Sequence, residues 1–251
     1  MNLPRIGMIV AGLMLMWQVV VWVTRVPPYI LPPPQLVLQA MLGHGSELLR
    51  HAGITLFEIV AGLLLGTLFG AGSALLMITS RQVKHWLMPV LVISQAIPVF
   101  ALAPLLILWL GYGMASKIAM AVLIIFFPVT AAFYDGLRRT EPQWVELAQV
   151  MDAPPHAILL QIRLPAALPA FASGLRVATA VAPIGAVVGE WVGSSAGLGF
   201  YMLHANARMQ VDTMFAALAL LTVMALILYF VIDAGLRRLV FWQSEKEGNE
   251  E

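Results

Sequence analysis

The sequence predicts an all-α, polytopic membrane protein with six transmembrane helices, on three observations. Of the 251 residues, 61% are apolar and only 11% are charged, whereas soluble domains average about 45–50% apolar and about 25% charged residues. The mean hydropathy is +0.89. Six stretches reach the length of about 20 mostly apolar residues that a membrane-spanning helix needs. A soluble domain of this size could not bury so much apolar surface.

The six spans are predicted near residues 6–24, 54–79, 87–110, 114–134, 168–192 and 213–235. No small-residue cleavage site follows the first span, so it is interpreted as a retained helix rather than a signal peptide. A proline-rich connector at 26–34 precedes a short segment, Gln35 to Arg50, that is predicted to be an interfacial helix.

The distribution of basic residues predicts that both termini are cytoplasmic. With the N-terminus inside, ten of the 14 Lys and Arg residues lie on the cytoplasmic side and four lie outside, as the positive-inside rule requires. Residues 1–243 are interpreted as a single membrane domain. Residues 244–251 form a charged tail that is predicted to be disordered.

Composition and motifs exclude several function classes. A net charge of +1 gives no support for nucleic-acid binding, and the absence of cysteine excludes thiolate metal sites and disulfides. The five histidines form no metal-binding pair, so no metal site is predicted. The three lysines, Lys84, Lys117 and Lys246, do not follow glycine as in a nucleotide-binding loop. We therefore expect no cofactor in this chain, and any ATP and magnesium would belong to a partner.

Two functions that would need no partner subunit are those of a serine hydrolase and a passive channel. The segment Gly193 to Gly197 matches the G-x-S-x-G pattern with Ser195 as nucleophile, and His204 is nearby. That motif requires a strand before it and a helix after it. Because the segment follows an apolar helix, a tight glycine-rich turn is favoured.

Glycines inside the spans predict close helix packing, and prolines inside them predict a path for a solute. Glycines four residues apart give a helix a smooth face on which another backbone can pack closely, and this pattern is formed by Gly62, Gly66 and Gly70. Prolines free backbone carbonyls that must face protein or a wet cavity. The prolines of the third span, the polar and aromatic residues near them and a glutamate at the end of the fifth span together predict a translocation path. Its predicted lining is Gln95, Pro98, Phe100, Trp109 and Glu190.

The connection between the fourth and fifth spans, about residues 135–169, is too polar and too rich in proline to cross the membrane. Thr140 and Gln143 predict a capping box, and the helix that follows has one apolar face. That face comprises Trp144, Leu147, Ala148 and Met151. A second short helix is predicted from His156 to Arg163, ending at Leu164-Pro165. Two short helices with an apolar face suit docking into a groove on a partner.

This connection resembles the EAA loop of ABC-importer permeases. Glu146-Leu147-Ala148 is followed after three residues by Asp152 and after nine more by Ile162-Arg163-Leu164-Pro165, and the family pattern has the same spacing. The departures are Leu147 for alanine and Asp152 for glycine. Aspartate tolerates a left-handed backbone or a capping position better than most residues.

Further segments resemble the nitrate, taurine and alkanesulfonate branch of these permeases: 55–62, 97–111 and 189–199. The runs 93–100 and 126–133 resemble permeases for hydroxymethylpyrimidine, a thiamine precursor. The resemblance implies a pore of two permease copies, as a homodimer or with a close relative. It also implies two ATPase subunits on the loop, an external solute-binding protein and a location in the inner membrane of a prokaryote.

Overall fold

The computed structural model describes residues 3–242, which are helical except for short turns and contain no strand. The predicted tail at 244–251 lies outside the described residues. The elements in chain order are α1 (Leu3–Thr24), α2 (Pro34–Gly43), α3 (Gly45–Thr79), α4 (Arg81–Ala96), α5 (Val99–Leu110), α6 (Met114–Arg138), α7 (Pro142–Val150), α8 (Pro155–Ile158), a π-helical turn (Leu159–Arg163), α9 (Leu164–Gly193), α10 (Leu198–Ala207) and α11 (Val211–Leu239).

The predicted all-α fold is confirmed, with one change in the third span. Within the described residues, five helices are long and apolar enough to cross a membrane, and α4 with α5 makes the sixth if the pair is one span. These two helices meet at 107°, so the stretch predicted as the third span, 87–110, is broken rather than one straight helix. The break falls where Ile97 is extended, at φ −85° and ψ 120°, because a residue before proline avoids the helical region.

The prediction that a short helix ends at Leu164-Pro165 is wrong. Helical structure continues from Pro155 to Gly193, a run of 39 residues. The π-helical turn directly precedes Pro165, which occupies the first turn of α9. Proline has no N–H to donate, and the wider π-helical turn, in which Leu164 N–H donates to Leu159 O, accommodates it within the continuous helix.

The core of the bundle is formed by α3, α6 and α9. Gly62, Gly66 and Gly70 of α3 lie against α6, where a Cβ on Gly62 would stand 2.5 Å from the Cβ of Ala121. The order of these contacts makes α3 parallel to α6, and the contacts of α9 with α6 run in the opposite sense, from Gly174 near Pro128 to Gly189 near Lys117. We name the end where α6 leads into α7 the loop end, and the other the opposite end.

The first helix lies at the edge of the bundle. None of the stretch Gly7–Thr24 is buried, and the ring of Trp17 lies 5.7 Å from that of Phe215 on α11. Behind it, α2 packs Val37 and Ala40 into a cluster with α10 and α11. The predicted interfacial segment is shorter than expected, because its second half belongs to α3.

Candidate functional site

The residues of the EAA-like loop, where the resemblance implies that ATPase subunits dock, gather at the loop end, on α7 and the start of α9. We call them the coupling residues. Ala148 is buried, whereas Trp144, Leu147 and Met151 are 52%, 62% and 74% exposed. Glu146 is also exposed. Apart from Ala148, this apolar face is not covered by the described chain, and contiguous exposed apolar residues of this kind mark an interaction surface.

This face borders a cavity of about 1060 Å³ between α6, α7 and α9. Four coupling residues on α7, namely Trp144, Leu147, Ala148 and Met151, line it together with Ile162 and Pro165. We call this cavity the loop-end groove. Leu164 is half-buried in the first turn of α9, next to it.

The local structure of α7 differs from prediction at its start and supports the motif at its end. The capping box does not form: Glu141 is the N-cap without a side-chain bond, and the Thr140 hydroxyl instead donates to the carbonyl of Leu137 at 3.2 Å. At the other end Asp152 has φ +55°. It occupies the left-handed position of a Schellman motif, with Ala153 N–H donating to Ala148 O at 3.0 Å.

The predicted path residues do not form one site in the single chain. Gln95, Pro98 and Phe100 lie exposed around the break between α4 and α5, and Trp109 is exposed near the end of α5. Glu190 is separate from them, because it lies in the last turn of α9 with only 1% of its surface exposed.

Glu190 is the centre of a buried polar cluster at the opposite end. Its carboxylate accepts a hydrogen bond from the Thr55 hydroxyl at 2.6 Å and from Gly199 N–H at 2.5 Å, with Phe200 N–H at 3.4 Å. Thr55 also accepts from Leu198 N–H at 2.8 Å. The cluster therefore joins α3, α9 and the start of α10.

The same cluster contains a buried ion pair. Lys117 Nζ lies 2.5 Å from Glu58 Oε1, and the side chains are 7% and 0% exposed. Lys117 also donates to Ser194 Oγ at 3.0 Å. Charges inside a membrane are costly unless paired, and the pairing with Lys117 explains how Glu58 is accommodated within α3.

A second polar contact fixes the turn before α10. Gly197 N–H donates to His51 Nδ1 at 3.0 Å, and Gly197 has φ +114°. A Cβ on Gly197 would overlap the Glu190 carboxylate. Outside the spans, Tyr201 donates to Glu47 Oε2 at 3.1 Å, and burial, followed by this hydrogen bond, raises the pKa of Tyr201.

Sequence reasoning missed His51, Thr55 and Lys117 as members of this cluster. The available signal was spacing, since His51, Thr55 and Glu58 follow at i, i+4 and i+7 and so share one face of α3. Near them, a cavity of about 610 Å³ is lined by Lys117, Glu190 and residues of α10.

The serine hydrolase hypothesis lacks its structural requirement. Ser195 is exposed in the turn after α9, and residues 3–242 contain no strand that could enter a nucleophile elbow. The Ser194 hydroxyl, rather than Ser195, closes the turn by donating to the carbonyl of Ala196.

Comparisons with known proteins agree with this architecture. Residues 62–243 match the family model described as binding-protein-dependent transport system inner membrane component. A probable ABC transporter permease protein of Haemophilus influenzae is 61% identical over 93% of this chain and 96% of its own length. The formylaminopyrimidine transport permease protein ThiX of Halalkalibacterium halodurans is 37% identical over 87% of this chain and 88% of its own length.

The taurine transport system permease protein TauC of Escherichia coli is 30% identical over 94% of this chain and 88% of its length. Among solved structures, an inward-facing MetNI methionine ABC transporter matches with a TM-score of 0.68 at 19% identity, over 78% of this chain and 98% of that chain. The chain therefore belongs to the family of binding-protein-dependent transport system inner membrane components, and it is a permease subunit of an ABC importer, not an enzyme.

Proposed function

We propose that two copies of this permease, or one copy with a close relative, form a solute pore driven by two ATPase subunits that dock on the 140–165 segment. ATP and magnesium are held by those subunits, and a separate binding protein delivers the solute. The observation that carries the proposal is the loop-end groove: an open apolar cavity beside a short helix whose apolar face is exposed.

The charges of the loop end support its assignment to the cytoplasm. The junction of α3 with α4, the end of α6 and the end of α11 all lie there. They carry Arg81, Lys84, Arg138, Arg139, Arg237 and Arg238. Basic residues concentrate on the cytoplasmic side of membrane proteins. Both termini are then cytoplasmic, and the opposite end faces the binding protein outside the inner membrane of a prokaryote.

The pore is proposed to lie along α4 and α5. The break between them exposes Gln95, Pro98 and Phe100, and Trp109 is exposed near the far end of α5. A broken helix is tolerated at membrane depth where it lies against protein or water. A second permease copy facing this surface would cover the break and enclose a path between the two chains.

The transported solute is proposed to be a small organic molecule such as a thiamine-precursor pyrimidine. The relative named for formylaminopyrimidine transport is 37% identical over 87% of the chain. Relatives named for taurine and aliphatic sulfonate transport are 30% identical over 94% and 95%. A sulfonate, taurine or nitrate is the alternative within the same transporter class.

The test is purification of the tagged chain with the ATPase encoded beside it, followed by an ATPase assay in lipid with candidate binding proteins. We expect one binding protein, loaded with a pyrimidine, to stimulate hydrolysis. Glu146→Lys should remove the stimulation while the complex still assembles, because Glu146 is exposed and packs into no core. Gln149→Ala, exposed on the same helix, is the matched control.

Three outcomes would contradict the proposal. The first is that no ATPase subunit co-purifies with the chain and that Glu146→Lys does not differ from wild type in any measured activity. Solute flux without nucleotide would favour a channel, and partner-free hydrolysis lost in Ser195→Ala would favour a hydrolase. Stimulation by a taurine-loaded or sulfonate-loaded protein would replace only the proposed solute.

A further inference from the structure

One continuous helical element connects the two ends of the molecule. The run from Pro155 to Gly193 has 39 residues, which corresponds to about 58 Å at about 1.5 Å per residue. Ile162 and Pro165 near its beginning line the loop-end groove, and Glu190 lies in its last turn. A movement of the groove therefore has a direct mechanical route to the opposite end.

At the opposite end, Glu190 holds the start of α10. Its carboxylate accepts from Gly199 N–H at 2.5 Å and from Phe200 N–H at 3.4 Å. These amides belong to the first turn of α10, where backbone donors lack helical partners. The same carboxylate is held by the Thr55 hydroxyl at 2.6 Å, so a single side chain ties α9, α10 and α3.

The backbone around this joint is shaped to admit the carboxylate. A Cβ on Gly199 would stand 2.8 Å from Glu190 Oε2, and one on Gly197 would overlap the carboxylate. The Gly197 N–H donates a hydrogen bond to the His51 ring, and the Leu198 N–H donates one to the Thr55 hydroxyl. Four consecutive backbone N–H groups thus end on side chains of α3 and α9, although α10 already has apolar contacts through Leu198 and Met202.

We propose that Glu190 is a positioning residue that makes α10 move with the long helix, so that displacement at the loop-end groove reaches the outer surface beside the 610 Å³ cavity. This inference rests on the proposed coupling role of the 140–165 segment. It assigns Glu190 to the transmission of movement rather than to contact with solute.

The test uses the absence of cysteine from the chain. A single reporter, Leu203→Cys, is placed on the half-exposed outer side of α10, and its reaction with a membrane-impermeant maleimide is timed in the complete transporter. The rate is measured without nucleotide and after trapping with ATP and vanadate. We expect trapping to change the labelling rate in the otherwise wild-type chain.

The first variants alter Thr55, whose hydroxyl bonds both the Glu190 carboxylate and the Leu198 N–H at the start of α10. Thr55→Val keeps the shape but removes the hydroxyl and both of these hydrogen bonds. It should raise the resting labelling rate about tenfold or more, as expected for the loss of two buried hydrogen bonds. It should also abolish the change on trapping, whereas Thr55→Ser should restore both. Thr179→Val is the control, because Thr179 is equally buried but its hydroxyl bonds only Leu175 O within α9.

If trapping changes the labelling of Thr55→Val and of Glu190→Gln as much as that of wild type, the inference is wrong and the importer function stands. It is also wrong if trapping leaves the labelling rate of the wild-type reporter unchanged in a complex whose ATP hydrolysis is stimulated by its binding protein. Failure of the importer function is seen separately, as absence of that stimulated hydrolysis. Glu190→Gln keeps the side-chain shape but leaves only one oxygen to accept the bonds from Thr55 and Gly199, so it tests the joint directly and decides alone if Thr55→Val does not assemble.

Discussion

Replacing Lys117 by methionine should be among the most destabilising single changes in the chain. The Lys117–Glu58 pair is 2.5 Å apart with side chains 7% and 0% exposed, so water does not screen it. Removing one partner of a buried pair leaves an uncompensated charge, at a cost of about 3–5 kcal/mol. At about 2–4 °C per kcal/mol for a chain of this length, the apparent Tm should fall by about 6–20 °C.

The assay is heat-induced loss of the monodisperse permease in detergent, measured by size-exclusion chromatography. The double variant Lys117→Met with Glu58→Gln should recover most of the loss, because neither member of this pair then remains charged without the other, giving a coupling of about 2 kcal/mol or more. Arg138→Gln is the control, since its pair with Asp135 is 3.4 Å long and half exposed and should contribute at most about 1 kcal/mol. A double variant no more stable than Lys117→Met would refute the reasoning.

Three further predictions concern packing, backbone conformation and titration. Gly66→Ala should lower stability by about 1–3 kcal/mol in the same assay, because its Cβ would stand 2.6 Å from Ile125 Cγ2. Gly72→Ala is the control and should not lower stability, because its Cβ meets no atom within 4 Å. Asp152→Gly should keep or raise the Tm and uptake, whereas Asp152→Val should cost about 1–2 kcal/mol at φ +55°; equal Tm values would contradict the conformational account. Burial raises the pKa of Tyr201, so folding favours the neutral phenol, and this stabilisation is lost as the pH rises through the raised pKa. Tyr201→Phe has no phenol to ionise, so its Tm should fall less at alkaline pH than that of wild type. Tyrosinate absorbance follows the ionisation, and Tm measures the loss of stability.

The features predicted well from sequence are those that local patterns determine. Long apolar runs identify the spans because a lipid-facing helix needs them along its whole length. The α7 helix is visible from the apolar period of Trp144, Leu147, Ala148 and Met151. The family resemblance followed from motif spacing, which survives the replacement of glycine by Asp152.

The features that sequence reasoning missed depend on contacts between distant segments. Lys117 and Glu58 are 59 positions apart, and only the parallel packing of α3 on α6 brings them together. The presence of a proline also did not predict whether a helix breaks: Pro98 lies at the break in the third span, whereas Pro165 lies within a continuous helix. The difference lies in the turn before each proline, which is extended at Ile97 and π-helical before Pro165.

The most direct test of the coupling account is site-specific photo-crosslinking from the loop-end groove in the assembled transporter. A photoreactive residue at Leu147, exposed on α7, should form an adduct with the ATPase subunit, and one at Leu42, exposed on α2 away from the loop end, should not. A complex that hydrolyses ATP under control of its binding protein, yet gives no ATPase adduct from position 147, would contradict the account.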